Sequence, residues 1–224
     1  MAAQSKPRSS AHPVDPGLLT LRDRKKIQLR HAIAETAARL FTTRGFDATT
    51  LELICSEVTP EVSIRTLLRY FPTKEDLALA REIEFQEIFI SQLGARPAGV
   101  SVLEYWREWV VTRAKEAPKE ALLARLRLVE EVPSVAAKML ALQLRYEDVL
   151  AAAFADEAGV DPQDDLHGRL LAGMLVAGNR AASRRWVHSG GTLDLPTLIA
   201  EVPDWAISHF PERGRTASKR AELG

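Results

Sequence analysis

Apolar residues in this chain recur at three- and four-residue intervals, and nowhere do they alternate convincingly with polar ones. Ile33, Ala37, Leu40 and Phe41 make one stripe, and Leu122, Leu126 and Val129 another. That spacing puts side chains on one face of a helix with 3.6 residues per turn. It predicts an all-α protein. The punctuation agrees: Thr49-x-x-Glu52, Thr73-x-x-Asp76 and Ser101-x-x-Glu104 each place an acid three residues after a hydroxyl that can cap a helix start. Pro118, Pro162 and Pro196 suit first turns, while Gly45, Gly94 and the Gly190-Gly191 pair suit helix ends. We read helices over 22–44, 50–57, 63–70, 74–93, 101–116, 118–131, 134–157, 162–188 and 195–209. Residues 1–20 and 211–224 lack apolar periodicity and are read as flexible tails.

A chain of 224 residues with 46% hydrophobic content can build a sizeable core. A single cysteine, Cys55, excludes an internal disulfide framework, and no charged-then-apolar leader opens the sequence, so the expected compartment is the cytoplasm. The most apolar run, Leu170 to Gly178, is far shorter than the ~20 residues of a membrane-spanning helix. No membrane association is expected.

The net charge is zero, but it is unevenly spread. Residues 1–74 hold twelve Lys/Arg against seven Asp/Glu, and the remainder holds eighteen against twenty-three. A basic front on an acidic body fits a small polyanion-binding module joined to a larger unit.

That front contains a long helix, a short one, a turn and another short one, the outline of a helix-turn-helix unit. A helix read in the major groove must be short, must dock by one face and must show polar or basic groups on the other. Residues 63–70 have that form. Ser63 can cap the helix, Ile64, Leu67, Leu68 and Phe71 supply a docking face, and Arg65, Thr66, Arg69 and Tyr70 remain for DNA. Arginine can bind guanine bidentately, whereas Tyr and Lys more often take phosphates.

The runs IAETAARLFTTRG (Ile33–Gly45), FDATTLEL (Phe46–Leu53) and above all RTLLRYFPTKEDL (Arg65–Leu77) resemble the N-terminal domain of TetR-family transcriptional regulators. RLRLVEEVPSVAAKMLALQLRYEDVL (Arg125–Leu150) and NRAASRRWVHSGG (Asn179–Gly191) are similar to the ligand-binding part of a subgroup that includes mycofactocin-system regulators. The resemblance implies a DNA-binding domain over 21–73 and a helical ligand-binding and dimerisation domain over 74–210. It implies phosphate contacts from Thr50, Tyr70 and Lys74 and base contacts from Arg65 and Thr66, with Arg69 and the cap Ser63 beside them. Electrostatics alone adds Arg22, Arg24, Lys25 and Lys26 at the front of the first helix. One departure stands out: VTPEVS makes the joint between Ile54 and Ser63 longer than the family's usual one. The extra length either bulges from the surface or tilts the recognition helix.

In the body, Tyr105, Trp106 and Trp109 cluster on one helix, as core aromatics or as a ligand wall. Met139, Leu140, Met174 and Leu175 read first as core, with Met139 and Met174 also candidate ligand contacts. Asn179 and Arg180 interrupt an apolar helix and are candidates for the polar end of a ligand or for a dimer contact. Gly168, Gly173, Ala177, Gly178, Ala181 and Ala182 would let the last helices approach closely, and the resemblance implies a homodimer through a four-helix bundle.

Enzyme signatures are weak. The histidines at 12, 31, 167, 188 and 209 show no metal-ligand spacing, and there is no phosphate loop or nucleophile elbow. Glu130-Glu131 beside Arg127 reads as ion pairing rather than an acid/base couple. The expectation is a cofactor-free, DNA-binding, ligand-responsive repressor whose partners are double-stranded DNA, a largely apolar small molecule and a second copy of itself. The alternative from another class is a helical enzyme or carrier that keeps a degenerate DNA-binding domain; failure to retard duplexes from its own promoter region is its mark.

Overall fold

Thr20 opens the first helix by a reciprocal cap, accepting from the Asp23 amide while the Asp23 carboxylate accepts from the Thr20 backbone. From there the structure, a computed structural model that describes residues 20–210, is a succession of ten helices with no strand among the described residues. The two tails read from sequence fall outside it, apart from Thr20 itself. In order they are α1 (Leu21–Arg44), α2 (Leu51–Glu57), α3 (Ile64–Tyr70), α4 (Lys74–Ala78), α5 (Ala80–Leu93), α6 (Val102–Glu116), α7 (Lys119–Glu131), α8 (Pro133–Ala158), α9 (Leu166–His188) and α10 (Leu195–His209). The all-α expectation holds.

Two apolar clusters organise the molecule. The first joins Ile33, Leu40 and Phe41 of α1 to Ile54 of α2, Leu67 of α3 and Leu77 of α4. Val135 of α8 is also buried there, so the head rests on the body rather than hanging from it. The second cluster gathers Phe89, Trp106, Leu150, Phe154, Leu175 and Trp186 from α5, α6, α8 and α9, with Ile199 of α10 against them. Burying such side chains is worth roughly 1.5–3 kcal/mol each, which is where most of the fold's stability lies.

Several boundaries differ from the sequence reading. The expected helix over 74–93 is broken at Leu79, whose φ and ψ of −106° and 22° leave helical geometry. Leu77, Ala78, Leu79 and Ala80 are all buried; a straight helix cannot bury four residues in a row against one surface, and the break lets it. Thr50, not Thr49, caps α2, accepting from the Leu53 amide at 3.1 Å. Thr49 is fully buried and donates to the Gly45 carbonyl at 2.8 Å, stapling the turn to α1. At that turn Gly45 has φ +84°, a conformation open to glycine at little cost. The helix expected from 162 begins at Leu166, because Asp165 takes the cap by accepting from the Gly168 amide, leaving Pro162 in the preceding turn.

Where α9 crosses α10, Gly178 leaves room: a Cβ there would sit 2.6 Å from Val202 Cγ2. The Val202 side chain of α10 therefore packs directly on the α9 backbone. Leu175 is wholly buried in this core.

Candidate nucleic-acid interface and ligand cavity

The recognition helix α3 is built as the sequence suggests at its start and differently along its flank. Ser63 caps it, its hydroxyl accepting from the Thr66 amide at 3.2 Å and sharing a hydrogen bond with the Thr66 hydroxyl at 3.0 Å. Thr66 is half-buried. Leu67 and Phe71 dock into the head core, essentially without exposure. Ile64 and Leu68 do not complete the expected docking face; each is 37% exposed and sits with Arg65 and Arg69 round a surface hollow. The reason is the wheel: residues 67 and 71 share one row, and 64 and 68 share the next, turned toward the arginines.

The remaining DNA candidates surround α3. Arg65 and Arg69 are exposed, and the Arg69 guanidinium lies 5.5 Å from the Tyr70 ring centre. Lys74, half-buried, holds its ammonium 4.2 Å from the Phe46 ring centre. Such a cation–π contact fixes a charge without neutralising it. Thr50 is exposed at the front of α2, and Arg24, Lys25 and Lys26 are exposed at the front of α1.

The lengthened joint is pinned at both ends. Val58 is buried, and the Val62 amide donates to the Cys55 carbonyl at 3.2 Å. Thr59, Pro60 and Glu61 form its exposed apex. Glu57 is drawn to Arg39 of α1 at 2.9 Å, so its charge is balanced within the head. Burial pushes the Cys55 thiol up, with Glu52 and Glu61 adding to the shift; packing is its visible role.

The body holds a partly open cavity of about 520 Å³, lined by residues of helices α5 to α10. Five of the residues singled out from sequence meet there: Trp106 and Trp109 of α6, Met139 of α8, and Asn179 and Arg180 of α9. Met174 is not among the lining residues and packs instead against the second cluster. Leu122, Leu126, Val129, Val176 and Ile199 are among its apolar lining.

Polar and charged side chains interrupt the apolar wall, and most of them are engaged with one another. The Trp106 Nε1 and Asn179 Oδ1 atoms are buried with no hydrogen-bond partner among the described residues. Arg180 donates to the Gln143 side chain at 3.2 Å. Arg125 of α7 is paired with Glu82 of α5, and Glu130 with Arg184 and His188. Arg113 lies 4.9 Å from the Trp109 ring centre and 5.3 Å from that of Phe85. Burial pushes the Tyr146 phenol far up, despite a hydrogen bond with Trp109, so it is a neutral donor at physiological pH. Such a mostly apolar chamber with a few convergent polar groups has the form of a small-molecule site.

Glu82, Phe85, Arg113, Arg125 and Tyr146 line this chamber without standing out in the sequence. For Glu82, Arg113 and Arg125 the one signal is charge on helices whose other face is apolar, which any solvated helix shares; Phe85 and Tyr146 give none. No group of His, Cys, Asp and Glu among the described residues is placed to hold a metal, and no helix among them is long and apolar enough to cross a membrane.

Comparison with known proteins assigns both parts. Residues 33–80 match the family described as bacterial regulatory proteins, tetR family, and residues 101–210 match the MftR C-terminal domain. The HTH-type transcriptional regulator TcmR of Streptomyces glaucescens is 33% identical over 214 residues, 92% of each chain. The chain belongs to the TetR family of transcriptional regulators. Its fold is shared with Salmonella enterica GusR, at 21% identity, a TM-score of 0.54 and coverage of 81% of this chain and 96% of that one. Bacillus subtilis FadR, solved in complex with stearoyl-CoA, is similar at 16% identity and a TM-score of 0.55, with 80% and 97% covered. As a TetR-family regulator the chain carries a helix-turn-helix DNA-binding unit, α1 to α3, on a helical ligand-binding domain. The cavity is in that domain.

Proposed function

We propose that this regulator is a repressor that binds a palindromic operator as a homodimer, and releases it when a small, largely apolar molecule enters the cavity. No reaction is catalysed, and the protein works in the cytoplasm. Residues 21–73 read DNA and 74–210 bind the effector and dimerise. The observation that carries this reading is the position of the cavity relative to the head. Val135 of α8 is buried in the head core, while Met139 and Gln143, one and two turns on, line the cavity. Glu82, another lining residue, stands three residues beyond the break at Leu79, whose side chain is in the head core. A ligand that spreads the cavity walls therefore moves the two elements on which the head rests.

The effector has an apolar body and a polar end. The apolar walls accept the body; Asn179 Oδ1 and Trp106 Nε1 supply one acceptor and one donor, with Arg180 beside them. Leaving those two buried atoms unpaired costs free energy that a complementary ligand recovers.

The test has two parts. Purified protein is titrated against duplexes from its own upstream region by fluorescence anisotropy, and small molecules that co-purify or are screened are added to the complex. Specific retention of a duplex and its release by a ligand support the reading. A ligand whose effect survives Asn179→Leu and Val176→Trp together does not use this cavity, and a protein that binds no duplex is a carrier or enzyme instead.

A further inference from the structure

We propose that Ile64 and Leu68 are specificity-determining residues that read the 5-methyl groups of thymine in the major groove, beside guanines read by Arg65 or Arg69. The inference rests on the DNA-binding reading of the head and adds to it the chemical character of the operator.

The geometry comes from the wheel of a short helix. Residues four apart fall in one row, so Ile64 and Leu68 make an apolar row, Arg65 and Arg69 a cationic row next to it. Both rows line the same surface hollow. The third row, Leu67 and Phe71, is spent on the head core. The exposed side of α3 thus shows two γ-branched or β-branched hydrocarbon side chains, each 37% exposed, flanked by two exposed guanidiniums.

Three features decide what covers this row. It is on the helix whose family role is to meet DNA. Its flanking charges are both positive, with Lys74 close by in sequence and no acid within α3; this complements a polyanion and repels a basic partner. Within the major groove, the one apolar feature is the thymine methyl, and the strongest bidentate acceptor pair for arginine is on guanine. An aliphatic row beside a guanidinium row is matched by thymine and guanine lying next to each other in each half-site. Adenine or cytosine opposite Leu68 would leave hydrocarbon against an amino group.

Binding sites are first selected from a random duplex library with the full chain. Each thymine of the selected half-site is then replaced by uracil, which keeps every hydrogen bond of the pair and removes only the methyl. We expect at least one replacement per half-site to weaken binding by about four-fold, the transfer value of one buried carbon. The Leu68→Ser or the Ile64→Ser variant should lose that sensitivity at its own position, and Leu68→Met should retain it. Both sites are partly exposed, and circular dichroism melts confirm that each variant folds. A selected site indifferent to uracil throughout overturns the proposal, as does a uracil penalty unchanged in both serine variants. A chain that retards no duplex even at low salt instead removes the DNA-binding reading, and this proposal with it.

Discussion

Arg65 and Lys74 stand nine residues apart, and the proposed DNA-binding reading gives them different work. Arg65 projects from the exposed side of α3, whereas Lys74 is held against the Phe46 ring at the start of α4. A free guanidinium at a groove reads acceptor pairs; a fixed ammonium meets a backbone phosphate as a point charge. Arg65→Ala should therefore cost roughly 1–3 kcal/mol on the preferred site and relax the choice at one base pair. Lys74→Ala should weaken all duplexes alike and lower the slope of log affinity against log salt by about one unit. Anisotropy titrations at several salt concentrations separate the two; an identical, salt-insensitive loss in both variants contradicts the assignment. The residue types here were legible, since short range, charge and a capping serine are all local features. That Ile64 and Leu68 turn outward was not, because apolar identity says nothing about which of two adjacent rows the core will take.

The hydroxyl-x-x-acid signal located α4 and α6 correctly and misplaced α2 by one residue. Thr49 and Thr50 are both able to cap; the turn geometry gives the Thr49 hydroxyl the Leu40 and Gly45 carbonyls and leaves the cap to Thr50. The bend at Leu79 carries no Pro or Gly and follows from tertiary burial alone. Of these caps, the one at Asp76 does the most. Its carboxylate accepts from Thr73 and is paired with Lys138 of α8 at 2.6 Å, tying the element after the recognition helix to the body. Burial pushes Asp76 up, but the hydrogen bonds from Lys138 and Thr73 and the Lys138 charge outweigh it, so its pKa is lowered from the ordinary 3.8. A folded-state pKa below the unfolded one means stability that is present above about pH 4 and lost as pH falls through the folded value. Asp76→Asn should thus cost about 1 kcal/mol at neutral pH, with the gap to the parent closing as urea melts are repeated toward about pH 3. A gap constant across that range would mean the pair contributes nothing through charge.

The joint between α2 and α3 is a second matter of elements. Its ends are held by the buried Val58 and by the Val62 amide, and only Thr59, Pro60 and Glu61 project. Removing Pro60 and Glu61 should then leave the melting temperature and the selected DNA site nearly unchanged. A shifted site preference with non-specific affinity intact would show that the apex sets the tilt of α3.

The proposed dimer rests on α9, which the sequence presents as one stripe of small and large apolar residues and the structure divides into two faces. Leu171, Leu175, Val176 and Trp186 turn into the core, joined at close range by Gly178. Leu166 and Leu170 turn outward, 65% and 61% exposed, with Ala177 and Ala181 also exposed and no atom within 4 Å of where a Gly173 Cβ would be. Small residues between exposed leucines let another helix come near, and a two-fold pair of such faces is self-complementary. The cavity and this face share a helix, since Asn179 and Arg180 line the one while Ala177 and Ala181 belong to the other. Only the folded topology reveals that division, because both faces carry leucines and the sequence does not say which of them the core will take. It also determines which substitution can test the dimer. Leu175→Glu would bury a carboxylate in the monomer's own core and unfold the chain, so loss of dimers in that variant says nothing about the interface. Leu170→Glu places the charge in water when the chain is alone and in an apolar contact when it is paired. Sedimentation velocity should show a dimer for the parent and a monomer for Leu170→Glu, with helical content and melting close to the parent's once dissociation is allowed for. Affinity for a full palindrome should fall toward that of a single half-site, because the monomer grips one half only. Dimers that persist in Leu170→Glu would move the interface off this face.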